Sequence, residues 1–248
     1  MGKAYVVSPA HAITYTASAT NESADPLYSD SMLFDLDPQS PFFATTTATT
    51  ITLSHSSAAR KVIGIINPSV LAGASTFTAG GVAVVCPART ADGQAVNPFK
   101  VLDLGAGTST SVVISGAPDT VKIGEIVLGS ALTDVNWEWG GGMNVGIDYD
   151  WPTRELTTFY DKHLIYDKGI RVREASGKLK READRLTWLA IAQAAKGRNI
   201  PFLFIPDIDV NECWYVRLAE TSLRALRIMT NASDVVVTLE EVSNGLVL

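Results

Sequence analysis

The sequence predicts a mainly β protein. It consists of an N-terminal antiparallel β-sandwich and a smaller C-terminal α+β part with one short helix. Three observations carry this. Short runs rich in Val, Ile, Thr and Phe recur between Gly, Pro, Ser and Asn punctuation, and no helical period of useful length interrupts them before residue 136. All five tryptophans, Trp137, Trp139, Trp151, Trp188 and Trp214, come after that point. A helix-period segment, WLAIAQAAKG, occurs only in the second part.

In chain order, residues 1–40 are rich in turn formers (Asn21, Asp25-Pro26, Asp37-Pro38, Ser40-Pro41) and predict an extended arm with long loops. Residues 41–135 predict the sandwich. Its strands are expected at 49–54, 61–67, 75–79, 82–86, 99–104, 111–115 and 120–128. Residues 136–248 predict an antiparallel sheet with one helix. There, Ser176-Gly177 signals a hairpin turn between GIRVREA and KLKREADRL. Thr187 is the expected helix cap and Gly197 the expected C′ residue, with Trp188, Ile191, Ala192 and Ala195 on one buried face. Strands IPFLFIP, CWYVRLAE and DVVVTLEEV follow, with ALRIM a further candidate. Gly140-Gly141-Gly142 marks either a hinge or a strand packed closely against indoles. The flanking Trp137, Trp139 and Trp151 favour the packed reading.

Composition excludes some functions. A net charge of −6 argues against general nucleic-acid affinity, which needs a basic face. Residues 1–135 hold only 6 Lys/Arg and 10 Asp/Glu, leaving 14 and 16 for the rest of the chain. A surface of Thr and Ser is then either solvated by hydroxyls or packed on a neighbour. The densest basic cluster, Lys168 to Arg185, is interleaved with Asp167, Glu174, Glu182 and Asp184, as cross-strand ion pairs would be. Cys86 and Cys213 show no metal-binding spacing and are expected as buried thiols whose redox state the sequence leaves open. The start lacks an apolar leader core, and no apolar run approaches a membrane span. We therefore expect a soluble product made in the cytoplasm.

No catalytic signature is present, and no catalytic, cofactor or metal residues are assigned. Asp35 and Asp37 resemble half a calcium loop, but Ser40 and Thr46 stand where Gly and Glu are required, so an Asp-Pro turn is the expectation. Glu138, Asp148, Asp150 and Glu155 crowd around tryptophans as glycosidase carboxylates would, yet sequence cannot set their separation. His11, His55 and His163 are scattered. Candidate glycan or partner contacts are Asn67, Trp137, Trp139 and Trp151, aromatic platforms beside polar groups.

Several stretches carry a resemblance. LFDLDPQSPFF, KVIGIINPSVLAGASTFTAG and DTVKIGEIVLGSAL show an Asp-Pro turn followed by an aromatic residue, a strand ending in Asn, and a leader into the next strand. With REASGKLKREADRLTW, IPFLFIPD and VTLEEVSNG, they resemble tailed-bacteriophage tail-tip and minor tail proteins with a galactose-binding-like, discoidin-type jelly roll. The resemblance spans most of residues 27–245. It implies a virion structural component at the distal end of a tail, assembled as a ring or small homo-oligomer with other tail proteins. Where these jelly rolls usually carry Trp, this chain has Phe42 or Phe43. That preserves a core role and weakens the carry-over of ligand binding. The alternative function is a carbohydrate-binding module for a host surface glycan.

Overall fold

The structure is a computed structural model. It describes residues 4–38, 40–68, 76–85, 98–116, 120–135, 148–150, 153–157, 163–167, 172–179, 182–211, 213–219 and 235–242. The strands of the first part are β1 (Ala4–Val7), β2 (Tyr15–Ala19), β3 (Phe42–Phe43), β4 (Thr49–His55), β5 (Val62–Ile66), β6 (Thr76–Ala79), β7 (Val82–Val85), β8 (Phe99–Leu102), β9 (Ser109–Ser115), β10 (Lys122–Ile123), β11 (Glu125–Gly129) and β12 (Thr133–Val135). Then come β13 (Asp148–Asp150), β14 (Thr153–Thr157), β15 (His163–Asp167), β16 (Val172–Leu179), α1 (Glu182–Ala194), β17 (Phe202–Ile205), β18 (Trp214–Leu218) and β19 (Val235–Glu241). The fold is mainly β and antiparallel, as the sequence predicts.

The layers follow from burial. A five-stranded sheet, β2-β4-β9-β6-β7, alternates polar-out and apolar-in: Thr50, Thr52 and Ser54 face outward, while Ile51 and Leu53 are buried. Its inner face packs on the three-stranded sheet β11-β5-β8 through Ile51, Leu53, Phe77, Val112, Ile63, Ile65 and Phe99. Strand β5 does not alternate, because every residue is buried. Ile63 and Ile65 face the sandwich core, while Val62 and Ile66 face Leu203, Ile205, Cys213 and Tyr215. Those last four belong to the second part. A Cβ on Gly64 would collide with the Leu203 methyls, so glycine lets the sheets approach there. The seven-stranded sheet, β12-β1-β17-β18-β19-β16-β13, presents Leu203 and Tyr215 to β5. It presents Phe202, Phe204, Trp214 and Val216 to Trp188, Ile191 and Ala192 of α1 and to Ala195 just after it.

Four expectations need correction. The first concerns the N-terminal arm. Residues 4–7 form a central strand between β12 and β17, and 15–19 pair with β4. AYVV is too short to show a period, and β2 turns only Tyr15 and two alanines, Ala17 and Ala19, inward between Thr16 and Ser18, so neither stands out from loop sequence. Turn formers do build three 3-10 turns, Pro9–His11, Pro26–Tyr28 and Asp30–Phe34, the first two capped by Ser8 and Asp25.

Secondly, Ser176-Gly177 is not a turn. β16 runs straight through it and pairs with β19, placing Ser176 opposite Thr238 and Gly177 opposite Val237. The expected second hairpin arm becomes α1, which begins at Glu182 and leaves Thr187 in its interior. Helix formers throughout EADRLTWLAIAQA and the predicted apolar face explain this.

Thirdly, 120–128 is two strands. Gly124 interrupts it because a Cβ there would lie 2.5 Å from the Pro38 carbonyl oxygen. β10 pairs with β3 and β11 with β5. Phe42 enters the core, while Phe43 stacks on Tyr28 at 4.2 Å beneath the Lys122 ammonium.

Fourthly, the C′ residue of α1 is Lys196, at φ 48, with Gly197 following at φ 75. Gly197 N–H donates to Ala192 O and Lys196 N–H to Gln193 O, a Schellman closure. A side chain in that left-handed region is strained. Lys196→Gly should therefore raise stability by about 0.5 kcal/mol. A urea midpoint that does not rise, at unchanged m-value, would count against this cap geometry.

The triglycine run, ALRIM and Cys86 lie outside the described residues. So do Arg171, Lys180 and Arg181 of the basic cluster.

Candidate functional site

One end of the five-stranded sheet forms an open cleft of about 660 Å³. Three chain segments meet there: Thr14, Tyr15 and Thr16 at the start of β2; Ser54, His55 and Ser56 at the end of β4; Thr108 and Ser109 at the start of β9. Register aligns them. Thr16 sits opposite Ser54, and Ser54 opposite Ser109, all exposed. Adjacent strands lie about 4.8 Å apart, so three hydroxyl-bearing residues form a row at that spacing. A second row, Ser18, Thr52 and Ser111, continues it inward. No charged side chain lines the cleft among the described residues.

The cleft floor is held rigidly. The His55 ring is buried: Nδ1 lies 2.8 Å from Ser57 O, and Nε2 3.1 Å from Thr110 Oγ1. A carbonyl can only accept, so Nδ1 carries the proton and Nε2 accepts from Thr110. Thr110 Oγ1 in turn accepts from Arg60 Nη1 at 3.1 Å. The same guanidinium donates to Ser109 O, Ala106 O and Gly105 O, at 2.5, 2.9 and 3.4 Å. Arg60 thereby fixes the loop that forms the β9 rim. His55 has both nitrogens committed, so it orients the cleft and is not a proton-transfer base.

Below this cleft, and sharing Thr14 and Tyr15 with it, lies a half-enclosed cavity of about 180 Å³ between the sandwich and the seven-stranded sheet. Tyr15, Phe34, Leu36, Glu125, Phe202 and Tyr215 are among its walls. The Tyr15 hydroxyl lies 2.8 Å from Leu33 O and 2.6 Å from Ile126 O, and its ring meets Phe34 edge-on at 5.4 Å. Glu125 and Tyr215 are 2% and 1% exposed. Glu125 Oε2 and the Tyr215 hydroxyl have no hydrogen-bond partner among the described residues. Burial pushes the Glu125 carboxyl up to about 9, and the Asp35 and Asp37 charges add to this against a Leu36 N–H that opposes it. Burial also raises Tyr215, with Glu125 and Asp35 contributing.

The sequence-derived candidates fall elsewhere. Asn67 is fully buried at φ 49, and its Nδ2 donates to Pro38 O at 3.2 Å. It clamps the Pro38 loop and cannot contact a glycan in solvent, which corrects that expectation. Trp137, Trp139, Trp151 and Glu138 lie outside the described residues. Asp148 and Asp150 sit on β13 and Glu155 on β14, with side chains outside the described set. Asp35 Oδ1 accepts from Asp37 N at 2.9 Å and Asp37 Oδ2 from Ser40 Oγ at 3.1 Å, so both carboxylates serve the local turn. His11 ends a 3-10 turn and His163 lies on β15. Cys213 is a buried thiol facing β5. Sequence reasoning missed Arg60, Glu125 and Tyr215. A lone carboxylate inside the apolar run KIGEIVLG was the available signal for Glu125.

No protein-family model matches the chain, and no curated protein does. Solved structures do show likeness. A chitosan-binding module from a Paenibacillus chitosanase/glucanase is 13% identical, with a TM-score of 0.36 over 48% of this chain and 98% of that one. A pectin-binding carbohydrate-binding module is 14% identical, with a TM-score of 0.36 over 49% and 93%. The lectin-binding domain of lectinolysin, complexed with Lewis b, is 9% identical, with a TM-score of 0.33 over 48% and 94%. At these scores the likeness carries no functional argument. The resemblance to tail proteins rests on sequence motifs alone.

Proposed function

We propose that this chain is a non-catalytic binding module that holds a neutral glycan in the cleft across β2, β4 and β9. One observation carries the reading: the aligned row Thr16, Ser54 and Ser109, backed by Ser18, Thr52 and Ser111, with no charged side chain among the described residues that line the cleft. Hydroxyls both donate and accept, which matches the mixed donor–acceptor surface of a sugar. A neutral polyol enters such a site without stripping water from an ion. The Arg60–Thr110–His55 chain holds the rim in place before binding, which lowers the ordering cost.

A glycan array followed by calorimetry tests it. Ser54→Arg, on an exposed strand position, should weaken binding of a neutral oligosaccharide at least about tenfold, or about 1.4 kcal/mol. Val113→Arg, on the same sheet face but outside the cleft, should leave it unchanged. An array with no neutral hit, or a Ser54→Arg variant that binds like the parent, removes this reading.

A second reading is a structural part of a phage tail, built by oligomeric assembly. It is supported by the motif resemblance and by the outer sheet face, where exposed Val113 lies opposite Thr50 and Thr78. Such a face suits a broad protein contact. Mass spectrometry of purified particles, with the symmetry of the isolated protein, tests it. A strictly monomeric protein absent from particles would end it.

A further inference from the structure

We infer that the cavity between the sandwich and the seven-stranded sheet is a binding site for a neutral, largely apolar small molecule built on a single ring. The inference goes beyond the glycan reading and does not rest on it, since only Thr14 and Tyr15 of the cavity walls also line the cleft. The volume of about 180 Å³ exceeds the ~150 Å³ of an apolar cavity that takes benzene. Both layers supply apolar wall. Ile13 and Val127 come from the sandwich side, and Val7, Phe202 and Tyr215 from the seven-stranded sheet. Phe34 and Leu36 complete it at the surface, 41% and 46% exposed, so the mouth opens on their side. Leu36 is held there at φ 67, a left-handed backbone that leucine seldom adopts. Strain of this kind collects at ligand clamps. A guest in the mouth would cover both exposed side chains.

The polar groups of the walls select a neutral guest, because they are either committed or closed off. The Tyr15 hydroxyl has one proton and faces two carbonyls, Leu33 O and Ile126 O, so it has no donor left to offer. Glu125 Oε2 and the Tyr215 hydroxyl are sealed from solvent, and therefore from anything that fills the cavity. No Lys or Arg lines it among the described residues. An ion would shed its water here and reach no counter-charge. A sugar would leave most of its hydroxyls unpaired. An apolar ring loses no hydrogen bond and gains burial. The rings of Tyr15 and Phe34, which meet edge-on at 78°, offer it both faces and edges. Water is a poor competitor, because it needs polar partners that these walls withhold.

Chemical-shift mapping of the parent protein with toluene tests this, with benzoate and benzylammonium as charged analogues of similar size. Toluene should give saturable shifts at residues 12–15, 34–36, 125–128 and 200–202, and neither ion should. Val127→Phe, which fills the cavity from β11, should weaken toluene binding at least about tenfold. Phe34→Ala, at the exposed mouth, should weaken it in the same direction with far-UV circular dichroism unchanged. No saturable toluene shifts at those residues, equal binding of either ion, or parent-like toluene affinity in both variants would each overturn the assignment. Binding of N-acetyl-phenylalaninamide without binding of toluene would also overturn it, and would make the cavity an anchor point for another protein. Toluene and neutral oligosaccharides are titrated separately, so failure of the glycan reading and failure of this one are told apart.

Discussion

Glu125→Gln should stabilise the protein at pH 7 by on the order of 3 kcal/mol, through removal of a buried acid. Glu125 is raised from 4.5 to about 9, chiefly by burial and then by Asp35 and Asp37. The folded state therefore keeps a proton that the unfolded chain has already lost above pH 4.5. A group raised in this way favours folding fully below its unfolded value, and that advantage drains away as pH climbs to the folded value. Between pH 4.5 and about 9, parent stability should fall by as much as about 1.4 kcal/mol per unit from this residue, and level off above. Glutamine keeps the shape and hydrogen bonds without the charge, so its profile should be flatter. Urea midpoints at pH 5, 7 and 9 measure this. Parallel profiles for the two proteins would show that Glu125 does not titrate as a buried acid.

Lys100→Met should cost on the order of 3 kcal/mol. Lys100 is 2% exposed on β8, and its ammonium donates to Asp207 O at 3.1 Å and to Val210 O. Its backbone N–H donates to Asn211 O at 2.8 Å. One residue thus ties the loop after β17 to the sandwich. Methionine retains the apolar stem but withdraws the donors, leaving two carbonyls without that partner. Denaturant titration should show a lower midpoint. Hydrogen exchange should show that the amides nearest residues 207–211 lose most protection. A loss below about 0.5 kcal/mol would show that solvent replaces the ammonium at no cost.

The fold was legible where a single periodicity governed it. TTITLSH and STSVVIS alternate, and the structure buries their alternate residues against one core. The apolar face of α1 was legible for the same reason, because Trp188, Ile191, Ala192 and Ala195 answer to one helical period. Long-range competition hid the rest. Ser176-Gly177 satisfies a local turn rule, yet a six-residue register with β19 outweighs it. VIGII and FLFI do not alternate because sheets or a helix cover both of their faces, which sequence spacing cannot reveal. The cleft was half visible. Its hydroxyls are apparent in composition, but their alignment depends on the pairing of β2, β4 and β9 across distant stretches of chain. Asn67 read as a ligand contact from its place after a strand, whereas burial assigns it to the Pro38 loop.

Amide chemical-shift mapping of the isotope-labelled protein, titrated with neutral tri- to hexasaccharides, tests the glycan reading most directly. We expect saturable shifts at residues 14–16, 54–56 and 108–109, with the far end of the same sheet, around Thr76 and Ser115, unmoved. Saturable shifts confined to other parts of the chain, or no shifts with any neutral sugar, would contradict it.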